Sequence, residues 1–217
     1  KSAKKLHFDV IPRAVDEYLQ FIAAYPAQDA KAKLDNPVWH IHAGAPPAAE
    51  LPITFVLLLN LVSASNTGDK DVLWGFIRRH APGADAKTYP LLDQLAGYAV
   101  RYYRDFVSPK KRFRAADDVE RQALQSLSDA LGNANPDANA ADLQTIIYDV
   151  GRAIPRYQDF AAKGASPERP GVSNAWFSAI YQVLLGEEKG PRFGSFVELY
   201  GVKETRELIA ASLARNA

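Results

Sequence analysis

The sequence contains neither cysteine nor methionine among its 217 residues. Without cysteine, disulfide bonds, thiolate nucleophiles and cysteine-ligated zinc are excluded. Because translation starts at methionine and none stands even at position 1, we expect that translation did not start at Lys1; removal of a tag and a fragment of a longer protein are both open at this point. An apolar run of the roughly 18 residues that a membrane-spanning helix needs is also missing. We therefore expect no membrane partner, and the lack of cysteine is compatible with the cytoplasm, where we expect the protein to be located.

Signatures of catalysis are missing as well. No glycine-rich phosphate loop with a following Lys-Ser or Lys-Thr occurs, and no serine-nucleophile motif is present. His40 and His42 are two residues apart, so they would face the same side only on a β-strand, and carboxylates from elsewhere would have to complete a metal site. We predict no catalytic residue, no metal site and no bound cofactor in this chain.

Charge is nearly balanced overall, with a net charge of +1, but it is unevenly distributed. The segment 101–114, called the basic stripe here, carries six basic residues against the single acid Asp105. A local positive stripe on a near-neutral body suits docking to one face of a nucleic acid. Arg104 is a candidate for RNA contact, and phosphate contact and a solvated loop both remain open for the cations that follow Pro109, which are Lys110, Lys111, Arg112 and Arg114.

Apolar residues recur at helical spacing over most of the chain. From Pro52, which suits a first helical position, the pattern predicts helices throughout, with Asp69 and Asn139 as N-caps. We expect an all-α protein for the most part, a helical bundle or α-helix cage, with a break near residues 132–139. The predicted helices cover residues 52–62, 70–81, 90–107, 116–131, 140–154, 172–185, 194–200 and 203–215.

The first 50 residues are expected to differ from the rest. An extended start closed by Pro12 and a helix from Ala14 are predicted, and Val38–His42 alternates apolar and polar residues as a short strand does. We therefore expect a small α+β junction over residues 1–50, followed by a helical region over residues 51–217.

The most informative segment is 184–196, called the hinge segment here. Gly186, Gly190 and Pro191 end one helix, and a new helix can start at Ser195. The pair Arg192–Phe193 is expected to be exposed at the turn, at least in part, where a cation and a ring suit an unpaired RNA loop. Lys189 and Trp176 are further candidates for RNA contact, although core packing is the alternative for Trp176 and Phe193.

Several ordered passages resemble the C-terminal part of class I lysyl-tRNA synthetases, and the likeness runs over nearly the whole chain. Besides the hinge segment they are Phe8–Tyr18, Asn36–His42, Asp69–Ile77 and Tyr102–Val107. The resemblance implies that residues 1–50 contact the stem region and that residues 51–217 form the α-helix cage that receives the anticodon of tRNA(Lys). It also implies a preceding Rossmann catalytic domain that binds ATP, so this chain alone should be inactive as a lysine–tRNA ligase.

Two other hypotheses compete with this one. A helical module that binds a partner protein would show salt-insensitive binding, whereas RNA binding weakens with salt. A stand-alone helical enzyme would need a metal or a deep pocket at His40 and His42. Neither DNA binding nor membrane binding is expected.

Overall fold

The structure, a computed structural model, describes residues 7–49 and 51–215. Within these residues the chain forms eleven α-helices and a single two-stranded antiparallel sheet, which confirms the prediction of a mostly helical protein. The helices are α1 Ile11–Ala24, α2 Ala30–Asp35, α3 Pro37–Ile41, α4 Phe55–Ser65, α5 Lys70–His80, α6 Pro90–Tyr102, α7 Asp118–Gly132, α8 Ala140–Ala153, α9 Asn174–Leu184, α10 Phe193–Tyr200 and α11 Val202–Ala214. The strands are β1 Gln158–Asp159 and β2 Gly171–Val172. None of the helices described is long and apolar enough to cross a membrane.

Internal contacts divide the chain into two compact units. The first comprises the described residues up to Val62 together with Thr67–Phe106. The second comprises Ser63–Asn66 and the described residues from Val107 onward. The expected division of function at residue 50 is a separate matter and stays a prediction.

The first unit departs from the predicted α+β junction. Val38–His42 is not a strand, because Asn36 accepts a hydrogen bond from the backbone N–H of Val38 at 3.0 Å and Pro37 occupies the first helical position of α3. The extended start is wrong too: Phe8–Val10 is a 3-10 helix, and Pro12 lies in the first turn of α1. Between residues 7 and 49 the structure therefore contains helices and no strand.

Helix caps set the starts of α4 and α5 in the first unit. The Asp69 side chain accepts from the backbone N–H of Asp71 at 2.8 Å, which confirms the predicted cap of α5. The α4 helix begins at Phe55 rather than at Pro52, since Asp16 accepts from the Phe55 N–H at 2.6 Å across the unit. The Thr54 hydroxyl caps the same start by accepting from the Leu57 N–H at 3.2 Å, a local signal that the prediction of Pro52 as the first helical residue missed.

The second unit begins its first two helices with complete capping boxes. Asp117 and Glu120 satisfy each other's backbone N–H at the start of α7. Asn139 and Asp142 do the same at α8, as the predicted cap at Asn139 required. The α8 helix packs against α7 and α10, and α11 packs against α7 and α9.

Close packing in the second unit depends on one glycine of α10. A Cβ at Gly194 would lie 2.4 Å from the carbonyl oxygen of Ala140, so only glycine lets α10 lie this close to α8. The core beside this contact is aromatic and fully buried, with Trp176, Tyr181, Phe193 and Phe196 among its largest side chains. Val172, predicted to begin a helix, pairs with Gln158 in the short sheet, and α9 starts at Asn174.

Candidate nucleic-acid interface

The hinge segment links α9 to α10 in the second unit and is held by hydrogen bonds from its own neighbourhood. The Tyr181 hydroxyl donates to the carbonyl of Pro191 at 2.5 Å, and the Glu187 N–H donates to the carbonyl of Tyr181 at 3.2 Å. Gly186 has φ +68°, a conformation that favours glycine, and a Cβ there would lie 3.1 Å from the Phe113 ring. The predicted break between two helices is thus confirmed as a fixed turn.

Of the pair Arg192–Phe193, only Arg192 is exposed. Its exposure is as expected for at least one member of the pair, whereas Phe193 is 0% exposed, so core packing, the alternative to RNA contact, describes its ring. The cause is that Phe193 begins α10, where its ring meets Tyr181 edge-on at 5.8 Å and stacks on Phe196 at 5.1 Å. Phe193 therefore offers no surface to a ligand in this conformation.

Trp176 and Lys189 also differ in exposure. Trp176 is 0% exposed, and its indole N–H donates to the carbonyl of Ile147 at 3.0 Å. A buried ring whose donor is satisfied has no face left for a base, so core packing describes Trp176. Lys189 is exposed in the hinge segment.

The two ends of the basic stripe belong to different units, so each end is described within its own unit. In the first unit, Arg104 forms an exposed ion pair with the adjacent Asp105 at 2.7 Å. In the second unit, Lys110 and Arg112 are exposed, and the backbone N–H of Arg112 donates to the carbonyl of Gly186 at 2.9 Å. That hydrogen bond lays the end of the stripe along the hinge segment, so two segments that the sequence singled out separately lie together.

Arg114 is a structural residue of this junction. Its guanidinium donates two hydrogen bonds of 2.6 Å to the carboxylate of Glu120 and one of 2.6 Å to the side-chain oxygen of Gln182. Burial alone would raise the pKa of Glu120, but the hydrogen bonds from Arg114 and from the Asp117 N–H hold it below its usual value. The guanidinium of Arg114 therefore donates these hydrogen bonds within the protein rather than to a ligand.

Lys111 is drawn into the protein as well. Its ammonium donates to the carbonyl of Ser63 at 2.8 Å and is half-buried. Burial lowers the pKa of Lys111 from 10.5 to about 8, although the nearby Glu187 carboxylate opposes the shift. Glu187 accepts a short hydrogen bond from the Ser63 hydroxyl, and burial raises its pKa. Ser63 thus links Lys111 of the basic stripe to Glu187 of the hinge segment by hydrogen bonds.

A cavity of about 590 Å³ opens beside the hinge segment, entirely within the second unit. One part of its wall is aromatic, where Tyr148 and Phe177 meet edge-on at 5.3 Å and Tyr148 is 38% exposed. The remaining lining combines amide and hydroxyl side chains with the exposed charges of the hinge segment, namely Gln144, Asn174, Ser178, Gln182, Glu188, Lys189 and Arg192. Exposed aromatic rings can stack with an unpaired base, and the two cations beside them can contact its phosphates, so the cavity suits an unstacked nucleotide.

Only part of the cavity lining could be predicted from the sequence. Lys189 and Arg192, which were predicted as candidates for RNA contact, line the cavity. Tyr148, Phe177, Gln144 and Gln182 were not singled out, because α8 and α9 bring them together from positions up to 38 residues apart. The one available signal was the position of Gln182, a polar residue within the apolar pattern of α9.

His40 of α3 and His42, which directly follows this helix, make ordinary contacts. The His40 ring nitrogen Nε2 lies 2.8 Å from the carbonyl oxygen of Leu34, and that of His42 lies 2.8 Å from the Tyr18 hydroxyl. Among residues 7–49 and 51–215, no three histidine, aspartate or glutamate side chains gather as a metal site would require. Since the segment is helical, the strand geometry on which a paired-histidine site depended does not occur.

Comparison with known proteins gives strong similarity to one group. A lysine–tRNA ligase of Roseobacter denitrificans is 48% identical over 214 residues, which are 99% of this chain and 38% of the relative. Those of Rickettsia akari and Rickettsia felis are each 42% identical over 215 residues, 97% of this chain and 38% of each relative. No family model matches the chain. The chain thus spans 38% of the length of these curated relatives, and it belongs to the lysine–tRNA ligase family, to whose C-terminal part it corresponds.

Proposed function

We propose that this chain is the tRNA-binding part of a lysine–tRNA ligase and that its second unit receives the anticodon loop of tRNA(Lys). The observation that carries the proposal is the 48% identity with a lysine–tRNA ligase over 99% of the chain. Because the relatives are much longer, the activity of the whole enzyme belongs to this proposal too.

The whole protein would attach lysine to tRNA(Lys) in the cytoplasm with ATP. In the class I arrangement implied by the sequence resemblance, a Rossmann domain would precede this chain and would bind ATP and lysine. This chain would then supply recognition without chemistry. Its expected inactivity on its own is part of the proposal.

The cavity beside the hinge segment is the site we propose for the loop. An unpaired base could stack on the exposed Tyr148, a contact that is worth roughly 1–3 kcal/mol for a base on an aromatic ring. Lys189 and Arg192 are exposed at the same cavity, where they could pair with the phosphates of the loop. Lys110 and Arg112, on the segment hydrogen-bonded to Gly186, extend the positive surface.

Five of the original candidates enter the proposal with changed roles. Lys111 and Arg114 would stabilise the hinge segment through their hydrogen bonds inside the protein. Trp176 and Phe193 would be core residues of the second unit without contact to RNA. Arg104 lies in the first unit beside Asp105, so it is kept as a separate candidate for contact with another part of the tRNA.

Fluorescence anisotropy with labelled RNA stem-loops tests the proposal. The chain should bind the anticodon stem-loop of tRNA(Lys) more tightly than the same stem with another loop sequence. Its affinity should fall with salt, with a slope of about −0.7 for each single-strand phosphate that it neutralises. Equal affinity for both stem-loops would contradict the anticodon assignment, and salt-insensitive binding to proteins alone would favour the protein-interaction module instead.

A further inference from the structure

Two glutamine side chains of the cavity are fixed in orientation by partners that can only donate hydrogen bonds. The side-chain oxygen of Gln182 accepts from the guanidinium of Arg114 at 2.6 Å. That of Gln144 accepts from the backbone N–H of Gly194 at 2.9 Å. Since neither a guanidinium nor a backbone N–H can accept, each amide must direct its oxygen to that partner.

Neither partner can easily move. Arg114 is held by two further hydrogen bonds to Glu120, which is almost fully buried. Gly194 lies where α10 approaches α8 most closely, with no room even for a Cβ. Both amides are therefore held in one orientation by the fold before any ligand arrives.

The group that each glutamine has left to offer is its NH₂. Within residues 7–49 and 51–215, the structure places no hydrogen-bond partner at either of these NH₂ groups. Both side chains line the same cavity. A ligand in this cavity thus meets two amide NH₂ donors. Flipping either amide would present its oxygen to the ligand instead, but the flip would break the hydrogen bond to Arg114 or to Gly194.

We propose that Gln144 and Gln182 are specificity-determining residues that select a base with two carbonyl oxygens, and that Arg114 is a positioning residue acting through Gln182. The inference rests on the proposed function, because it assumes that an RNA base enters the cavity. Among the pyrimidines of RNA, uracil carries a carbonyl on both sides of its ring N–H. The carboxylate of Glu188 lines the same cavity and can accept that N–H.

Cytosine is disfavoured by the same arrangement. It has an amino group in place of one carbonyl, so one glutamine NH₂ would face another donor and both would lose a partner. Binding sites that form hydrogen bonds discriminate chiefly through polar groups left unpaired by the wrong ligand. We expect the chain to prefer a loop uridine to a cytidine by about tenfold, the fold-change of roughly 1.4 kcal/mol.

The test compares two stem-loops that differ by uridine or cytidine at one unpaired position, measured by anisotropy at fixed salt. Each unpaired position of the loop is exchanged in turn, and the ratio of the two Kd values is recorded at the position with the largest ratio. The Gln182→Glu variant keeps an oxygen for Arg114 but replaces the donor with an acceptor. It should lower the uridine-to-cytidine preference by about tenfold or invert it.

Three further variants make the result specific. Gln144→Glu should act like Gln182→Glu, since a carboxylate can still accept from the Gly194 N–H. Gln94→Glu, an exposed residue of the first unit, adds the same charge and should leave the ratio unchanged. Arg114→Met combined with Glu120→Gln removes the support of Gln182 without leaving a buried charge, and it should reduce the ratio toward one while the salt slope stays the same.

The outcomes separate the inference from the function on which it rests. If wild type binds stem-loops with a salt-dependent affinity but Gln182→Glu and Gln144→Glu keep the wild-type ratio, the inference is overturned and RNA binding stands. If wild type binds no stem-loop, both are overturned. Thermal unfolding followed by circular dichroism confirms that each variant is folded.

Discussion

Two pairs of basic residues in the second unit each consist of one lysine and one arginine, but the first pair has partners inside the protein and the second is exposed. Lys111 and Arg114 direct their charges into the protein, against Ser63 and Glu120. Lys189 and Arg192 are exposed at the cavity. All four are near the hinge segment, yet only the second pair is available to a ligand.

A basic run in a sequence therefore does not identify which of its cations contact a partner. A cation held against a partner inside the protein acts on the fold, so its replacement should change the free energy of unfolding or the dependence of that free energy on pH. An exposed cation should appear in the salt dependence of binding. The following variants separate these two effects, from the largest to the smallest.

Arg114→Ala should have the largest effect on stability. It leaves Glu120 buried without its cation, and since Arg114 is itself partly exposed we expect a loss of about 2–3 kcal/mol in the free energy of unfolding. Urea denaturation followed by circular dichroism measures it. The double change Arg114→Met and Glu120→Gln should recover most of the loss, and a loss of the single variant below about 0.5 kcal/mol would contradict the structural role.

Gly186→Ala should follow. The substitution forces alanine into φ +68° and brings its Cβ to within 3.1 Å of the Phe113 ring, which together should cost about 2 kcal/mol. Gly164→Ala is the matched control, because Gly164 has φ +81° with nothing within 4 Å and should cost only about 1 kcal/mol. Equal losses in the two variants, again from urea denaturation, would show that the Phe113 contact does not constrain the hinge segment.

Lys111→Met should change how stability depends on pH. In the unfolded chain Lys111 titrates near 10.5, and in the folded protein its pKa is about 8. Below pH 8 the folded state carries the full cost of burying the ammonium; between pH 8 and 10.5 the unfolded state binds more protons, so Lys111 adds stability as pH rises.

The wild type should therefore gain about 1 kcal/mol relative to Lys111→Met between pH 8 and 10, a value reduced for the partial exposure of the side chain. Urea denaturation at both pH values measures the difference, and Lys110→Met serves as the exposed neighbour that should track wild type. If Lys111→Met tracks wild type as well, the Lys111 ammonium is not buried as described.

Lys189→Ala and Arg192→Ala should have the smallest effect on stability, within about 0.5 kcal/mol, because both side chains are exposed. Their effect should appear in RNA binding instead, where each should reduce the slope of log affinity against log salt by about 0.7. Anisotropy over a salt series measures the slope. A large loss of stability with an unchanged slope would reverse the comparison between the two pairs.

The sequence predicted those parts of the fold that depend on local chemistry. Asp69 and Asn139 cap helices as expected, since an N-cap needs only a short polar side chain before an apolar run. Alternation at Val38–His42 misled, because Pro37 and the Asn36 cap favour a helical turn that overrides a period of two. At the start of α4 the local cap Thr54 was overlooked, whereas the further contact from Asp16 to Phe55, 39 residues away, has no local pattern.

The candidate site was predicted less completely than the fold. The break at the hinge segment and the exposure of Arg192 follow from glycine, proline and charge, all of which act locally. The burial of Phe193 and the assembly of Tyr148, Gln144 and Gln182 into one cavity follow from the packing of α10 and α9 against α8. Such packing is decided by side chains far apart in the sequence, so no single segment reveals it.

The central claim is that the cavity beside the hinge segment receives the RNA loop. Its most direct test is an NMR titration of the ¹⁵N-labelled chain with the anticodon stem-loop of tRNA(Lys), followed by backbone amide shifts. We predict that the largest shifts arise at residues lining the cavity, such as Tyr148, Ser178, Gln182 and Lys189, and that they diminish in the Lys189→Ala and Arg192→Ala double variant. Shifts confined to α1–α3, with the cavity residues unmoved at saturating RNA, would contradict the account.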